Sequence, residues 1–337
     1  SDDMISAAAV KASEKGLTGK WVFTIDKPTL LPFLQFSEKR ELREKMYKAY
    51  VNRGNNNDEL DNKKVLSRMV SLRVQKANLL GYKNYADFIL EKKMAKTPEN
   101  AYKFLYDVWK PTVKRAQSEV DEMQKIIDLE GGKFKLEPWD WRYYAEKVRK
   151  EKYDIDEEIT KPYFKLENVR QGVFTLANKL YGITFNEVVN IPKYNPDIYA
   201  YEVIDSNQKF LGILYMDFYP RPNKRQGAWM TNYVEEYIKK DGLKVHPVVS
   251  LVFNFTKPTA SSPALLTFDE AETMFHEFGH SLHGLFANTK YRSLEGTNVP
   301  RDFVEMPSQI MENWFVEPEM LALFAKHYQT GEIIPKS

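Results

Sequence analysis

The sequence predicts a mainly α-helical chain with a small antiparallel β-sheet, an α+β fold. Three observations carry this prediction. Apolar residues follow helical periodicity to about residue 180, four short β-rich runs fall between residues 183 and 255, and a capped amphipathic helix opens at Phe268. Of 337 residues 43% are hydrophobic and 28% charged, the balance of a globular chain with room for one large domain or two medium ones.

Taken in order, Ser1-Asp2-Asp3-Met4 leads into Ile5 to Val10 as a capped helix. Ser37 opens a charged helical run to Tyr50, Gly54-Asn55-Asn56-Asn57 makes a turn, and helical spacing resumes from Leu60 to Leu80, ahead of Gly81. Thr97 and Pro98 supply an N-cap and a first-turn proline for a long helix to Leu129, closed by Gly131-Gly132. Pro111 within that helix predicts a kink. The densely charged stretch Glu146 to Glu158 reads as a solvated helix face and connection, and it divides a helical region, 1–160, from a second region, 161–337. There the β-rich runs are Ile183 to Val189, Tyr199 to Ile204, Phe210 to Phe218 and His246 to Phe255, with hairpin residues Asp205-Ser206-Asn207-Gln208 between the second and third.

Composition removes several function classes. Lys and Arg number 49 against 47 Asp and Glu, a net charge of +2 with no basic block, so the electrostatic footprint of a nucleic-acid binder is missing. Apolar runs such as Val248 to Phe253 fall far short of the roughly 20 residues that span a bilayer, so no membrane association is expected. Cysteine is absent, which excludes a disulfide framework, a thiolate metal cage and a cysteine nucleophile together. Neither a Gly-x-Ser-x-Gly elbow nor a phosphate-binding glycine motif occurs. The first residues lack the cationic segment of a signal peptide, and the sequence stops soon after Thr330-Gly331; both ends read as those of a piece of a longer protein.

The chemistry concentrates in Thr267 to His283. Thr267 with Glu270 forms a capping box, and Ala271, Met274, Phe275, Phe278, Leu282 and Leu285 make one buried helical face. Glu272, His276, His280 and His283 form a second stripe at steps of four, four and three, so His276 and His280 project from successive turns and can hold one cation. Glu277 lies about 100° around the helix from His276, placing its carboxylate beside the pair rather than on the ion. This His-Glu-x-x-His pattern is the zinc-peptidase motif, in which the metal acidifies water and the Glu takes its proton. The sequence holds five histidines, and three lie between 276 and 283, a concentration that argues against a chance match.

A hydrolytic zinc site needs a third protein ligand and an open position. His283 and Phe286 stand where the metzincin extension requires Gly and His, which excludes that class. A carboxylate from a following helix is the other common solution. Glu305, Ser308, Gln309 and Glu312 share one face of the stretch from Asp302, opposite Phe303, Met306, Ile310 and Trp314, and Glu305 is the residue chosen.

His276 to His283, followed by Gly296-Thr297-Asn298 and Asp302 to Gln309, resembles the thimet oligopeptidase family of zinc peptidases, family M3. The likeness extends to Gly81 to Phe88, Met94 to Asn100, Pro138 to Trp141, Asp217 to Arg221 and Pro222 to Trp229, and so covers essentially the whole sequence from about residue 20. The details of 217–230 and 286–309 resemble the peptidyl-dipeptidase branch, which removes dipeptides from free C-termini; an endo-acting oligopeptidase is the alternative within the family, and a noncatalytic metal-binding scaffold the alternative outside it.

The resemblance implies a zincin-like catalytic core in 161–337, with the helical region in front of it as one wall of a channel that admits short unstructured peptides. It implies one zinc ion held by His276, His280 and Glu305, with Glu277 as general base and later proton donor. Glu272 would orient a ligand imidazole, and Ser308 is a further candidate beside the ligands. Gly279, costly in a helix interior, implies close packing beneath the metal. His283 is either a partner of the site or an ordinary half-buried imidazole. Gly227 and Ala228 are candidates for the wall that pairs with substrate backbone. The expected state is a monomer, and the compartment stays open between the cytoplasm, which the resemblance implies, and the periplasm. In this family the Tyr and His donors to the tetrahedral oxyanion lie well downstream of the third ligand, beyond Ser337, so this chain by itself is expected to bind zinc and to be a poor enzyme.

Overall fold

The computed structural model describes residues 2–153, 157–258 and 262–335. The chain divides into two compact units, 1–155 and 156–337. The predicted cap Ser1 and part of the predicted boundary stretch, 154–156, lie outside the described residues.

The first unit is helical: α1 (Asp2–Glu14), α2 (Lys27–Phe36), α3 (Arg40–Val51), α4 (Lys63–Leu79), α5 (Tyr85–Leu90), α6 (Pro98–Leu129) and α7 (Trp141–Tyr153). Helix α3 starts three residues after Ser37, with Lys39 at its N-cap. At α6 the Thr97 hydroxyl accepts the Asn100 amide as the cap predicts, and the helix runs on through Pro111 without interruption. Met123 and Ile127 of α6 pack with Tyr144 of α7 in a small core. Asp140, fully buried, is paired with Arg40 and Arg43 at 2.8 Å each and ties α3 to the start of α7.

The second unit opens with α8 (Glu157–Thr160), a 3₁₀ turn at Lys161–Tyr163 and α9 (Leu166–Tyr181). Among the described residues seven strands follow, β1 (Thr184–Glu187), β2 (Tyr199–Ile204), β3 (Phe210–Asp217), β4 (Trp229–Val234), β5 (Tyr237–Ile238), β6 (Lys244–Val245) and β7 (Val248–Val252), and then α10 (Phe268–Leu285), α11 (Arg301–Phe315) and α12 (Pro318–Phe324). The main sheet has the order β1-β2-β3-β7-β4, and β5 pairs with β6 as a separate ribbon.

The expectation of an antiparallel sheet needs correction, because the sheet is mixed. β3 and β7 run parallel, with Ile213 opposite Val248 and Asp217 opposite Val252. The intervening excursion makes this geometry possible: thirty residues, 218–247, carry β4 to the far side of β7 and reverse through the ribbon, so β7 enters beside β3 in the same direction. β4 itself is absent from the runs read from the sequence. Its residues are half-buried almost throughout, without the alternation that marks a strand.

One core fills this unit. Helix α10 lies against β7, β4 and β3 and against α9, so Phe275 and Phe278 meet Val173, Phe174, Leu214 and Val249 in a continuous apolar layer. Among the described residues no helix is long and apolar enough to cross a membrane.

Candidate metal centre

Helix α10 is built as its sequence dictates. The Thr267 hydroxyl accepts the Glu270 amide at 3.1 Å and the Glu270 carboxylate accepts the Thr267 amide at 2.9 Å, closing the capping box. The buried face is the predicted one, with Ala271, Met274, Phe275 and Phe278 fully inside. That leaves His276 and His280 on the other side, with ring centroids 5.0 Å apart.

The second helix of the site, α11, approaches α10 more closely than side chains ordinarily permit. A Cβ on Gly279 would lie 2.6 Å from Ser308 Cα and 2.8 Å from the Pro307 carbonyl oxygen, so only glycine fits here. Ser308, Met311 and Phe315 are the buried residues of α11. Phe303, Met306, Ile310 and Trp314, which the sequence reading set on the face opposite the polar residues, are all more than a third exposed. Gly279 and Ser308 make the closest contact, Met311 and Phe315 pack beside them, and the four bulky residues of the other face stay outside.

This approach carries Glu305 to the histidines. Its Oε2 lies 3.3 Å from His276 Nε2 and 3.1 Å from His280 Nε2, and the three donor atoms all fall within 4.8 Å of one another. Ligands about 2.0–2.1 Å from a tetrahedral cation are spaced about 3.3 Å apart, so this set of two imidazole nitrogens and one carboxylate oxygen fits a divalent transition metal. Burial pushes the His280 pKa down, which keeps the ring neutral and able to ligate.

Around these three, the structure assigns neighbours that the sequence left undecided. The Nδ1 of His276 bonds Glu312 Oε1 at 2.5 Å, so Glu312 holds the proton-bearing side of the ring and turns Nε2 toward Glu305. Glu272, the candidate for orienting a ligand imidazole, lies close enough to Glu312 to feel its charge, and burial and that repulsion raise its pKa. The Ser308 hydroxyl donates to Glu305 Oε2 at 3.1 Å and to the Glu305 carbonyl at 2.8 Å. The Nδ1 of His283 is buried without a hydrogen-bond partner among the described residues, and burial lowers its pKa. His246 and His327 are structural: His246 Nδ1 meets the Leu211 carbonyl, and His327 Nδ1 accepts the Gln329 and Thr330 amides.

Glu277 is 7% exposed, and burial pushes its carboxyl up to about 7, His276 opposing the rise and Glu305 adding to it. The Met230 backbone amide bonds it, which sets the first residues of β4 beside the carboxyl. Gly227 and Ala228 immediately precede that strand. Gly227 adopts φ +95° with open space around its Cβ position, and its carbonyl accepts from Asn254 Nδ2 at 2.7 Å. β4 pairs with β7 along one side and ends the sheet on the other.

Comparison with known proteins places this geometry in a family. The sequence model of Peptidase family M3 matches residues 33–337. The chain belongs to peptidase family M3. It is 45% identical over 336 residues to the dipeptidyl carboxypeptidase of Escherichia coli and 43% identical over 336 residues to that of Salmonella typhimurium, in each case across 99% of this chain and 49% of the relative. Oligopeptidase A of Escherichia coli is 39% identical over 340 residues, 99% of this chain and 50% of the relative. The M3 chain therefore spans about half the length of the curated relatives it matches. Within it, the pairing that sequence reasoning missed is Glu312 with His276; the signal was its place on the Glu305 face, seven residues on.

Proposed function

We propose that this chain carries the metal-binding part of a zinc metallopeptidase that cleaves short, unstructured peptides and releases C-terminal dipeptides. The observation that supports this most directly is the convergence of His276, His280 and Glu305 beside the buried carboxyl of Glu277. A zinc ion held by those three supplies, when bound, Lewis acidity toward the peptide carbonyl and toward water. Glu277 takes a proton from the attacking water onto its carboxylate and returns it to the nitrogen of the leaving amine. Its raised pKa suits both halves of that exchange near neutral pH. Glu312 and Ser308 hold two of the three ligands in register. The outer edge of β4, unpaired among the described strands and beside Glu277, accepts an extended substrate backbone by strand addition, which favours flexible peptides over folded ones.

Higher identity to two dipeptidyl carboxypeptidases than to oligopeptidase A supports release of dipeptides over internal cleavage. Amidating the C-terminus of a test peptide separates the two, since it abolishes dipeptide release and spares endoproteolysis. The catalytic assignment is tested by Glu277→Gln, which should keep zinc bound at one ion per chain while hydrolysis falls at least about a hundredfold, the contribution expected of a general base. An unchanged rate would end the assignment.

A further inference from the structure

The loop that leads into β4 is fastened by a buried ionic cluster that the chemistry above does not use. Asp217, the last residue of β3, is 1% exposed, and its two carboxylate oxygens accept four hydrogen bonds. Oδ1 receives Arg221 Nη1 and Lys224 Nζ, each at 2.9 Å; Oδ2 receives Arg221 Nη2 at 2.7 Å and the Tyr194 hydroxyl at 3.0 Å. The Lys224 side chain is 2% exposed, and its ammonium also donates to the carbonyls of Asp217 at 3.1 Å and Tyr219 at 2.8 Å. A buried lysine that gives all its donors to one carboxylate and two carbonyls fixes the path of the backbone around it. Farther along, Asn254 Nδ2 donates to the carbonyls of Arg225 and Gly227 at 2.9 and 2.7 Å. From Asp217 to Gly227 the chain is thus held from beneath at 217–224 and from the side at 225–227, and Trp229 begins β4 two residues later.

We propose that Asp217, clamped by Arg221, Lys224 and Tyr194, is a positioning residue for substrate: it fixes where β4 begins, and with it the backbone edge that receives the peptide beside Glu277. Asp217 touches none of the metal ligands; it acts through the loop and through Tyr194, whose ring meets that of Tyr233 on β4 at 6.1 Å between centroids. The inference rests on the peptidase reading, because β4 matters as a binding edge only if the site cleaves peptides.

The test uses the zinc-loaded full chain in a Glu277→Gln background, so that binding is measured without turnover. Measured well below the Tm of each variant, Asp217→Asn should speed amide exchange across 219–234, leave exchange in α10 unchanged, and weaken the affinity of a short dye-labelled peptide with a free carboxylate about tenfold, with zinc stoichiometry retained. Because this variant strands the Lys224 charge, Arg221→Gln serves as the second perturbation: it keeps the buried lysine paired and should move exchange and affinity in the same direction by a smaller factor. Variants that hold zinc normally and show parental exchange and affinity overturn the proposal, as does loss of zinc in step with loss of peptide. If the zinc-loaded parent binds no peptide, the peptidase reading falls and the exchange data alone decide whether Asp217 fixes the strand.

Discussion

Gly279→Ala perturbs the contact on which the third metal ligand depends. A methyl there would meet Ser308 Cα at 2.6 Å, the Pro307 carbonyl oxygen at 2.8 Å and Met311 Cγ at 2.9 Å. Two of these neighbours are backbone atoms in a helix, which cannot step aside by changing rotamer. To reach ordinary contact α11 must retreat by about 0.8 Å, and Glu305 and Ser308 retreat with it. Metal sites tolerate ligand displacements of about 0.2 Å. Overpacking costs about 1–3 kcal/mol, against which alanine recovers about 1 kcal/mol of helix propensity, so the net loss of stability should be modest. Zinc affinity should fall much further in proportion, by at least about tenfold, or 1.4 kcal/mol. Competition against a chromophoric chelator measures the affinity, and a denaturation curve on the metal-free chain measures stability separately. Wild-type affinity in a variant of near-wild-type stability would refute the claim that this backbone contact sets the position of Glu305.

Three further outcomes follow from the same geometry. Glu312→Gln removes the carboxylate that holds the His276 Nδ1 proton and should weaken zinc binding by about 10–100-fold, as read by the same competition; an unchanged affinity would assign orientation of the ring to packing alone. Glu295, fully buried and with its Oε1 and Oε2 accepting from the one Asn232 Nδ2 at 3.1 and 3.0 Å, is pushed up to about 7 by burial and by Glu235, with Glu236 adding to the rise and Asn232 opposing it. The folded chain therefore keeps a proton that the unfolded chain releases near its ordinary carboxyl pKa, and stability falls as pH rises between that value and about 7. Glu295→Gln should flatten that fall, by up to about 3 kcal/mol, and parallel Tm-against-pH curves for the two proteins would contradict it. Thr267→Ala opens the capping box and should cost about 1 kcal/mol in chemical denaturation without altering zinc stoichiometry; a loss of metal would mean that the cap also sets the register of His276.

What could be read from the sequence was whatever depends on neighbours close along the chain. Helix α10 was legible in full, because its cap, its buried face and its histidine stripe are all local spacings. Glu305 was legible as a member of a polar face. The partner of His276 was not: Glu272, one turn before it, was the local choice for orienting a ligand imidazole, and Glu312 reaches the ring from another helix. The buried face of α11 was not legible for a related reason. Periodicity looks for large apolar residues, and at its closest point this interface sets glycine against serine, with Met311 and Phe315 buried beside them. The parallel pairing of β3 with β7 depends on where the excursion 218–247 returns, which neither strand's own residues encode, and β4 escaped notice because a half-buried edge strand lacks strict alternation.

Gly279 has a counterpart five residues on. A Cβ at Gly284 would meet Met230 Cε at 2.8 Å and Asn232 Oδ1 at 3.0 Å, both on β4. At Gly279 helix α10 meets the third-ligand helix backbone against backbone, whereas at Gly284 the missing side chain makes room for the ends of β4 side chains. The separation between α10 and the third-ligand helix is thus gauged by backbone, and side-chain repacking elsewhere has little means to adjust it. Mutations in the wider core should then act on the number of correctly assembled molecules and leave each assembled site with its original spacing, so damage accumulates as lost protein rather than as gradually loosened affinity.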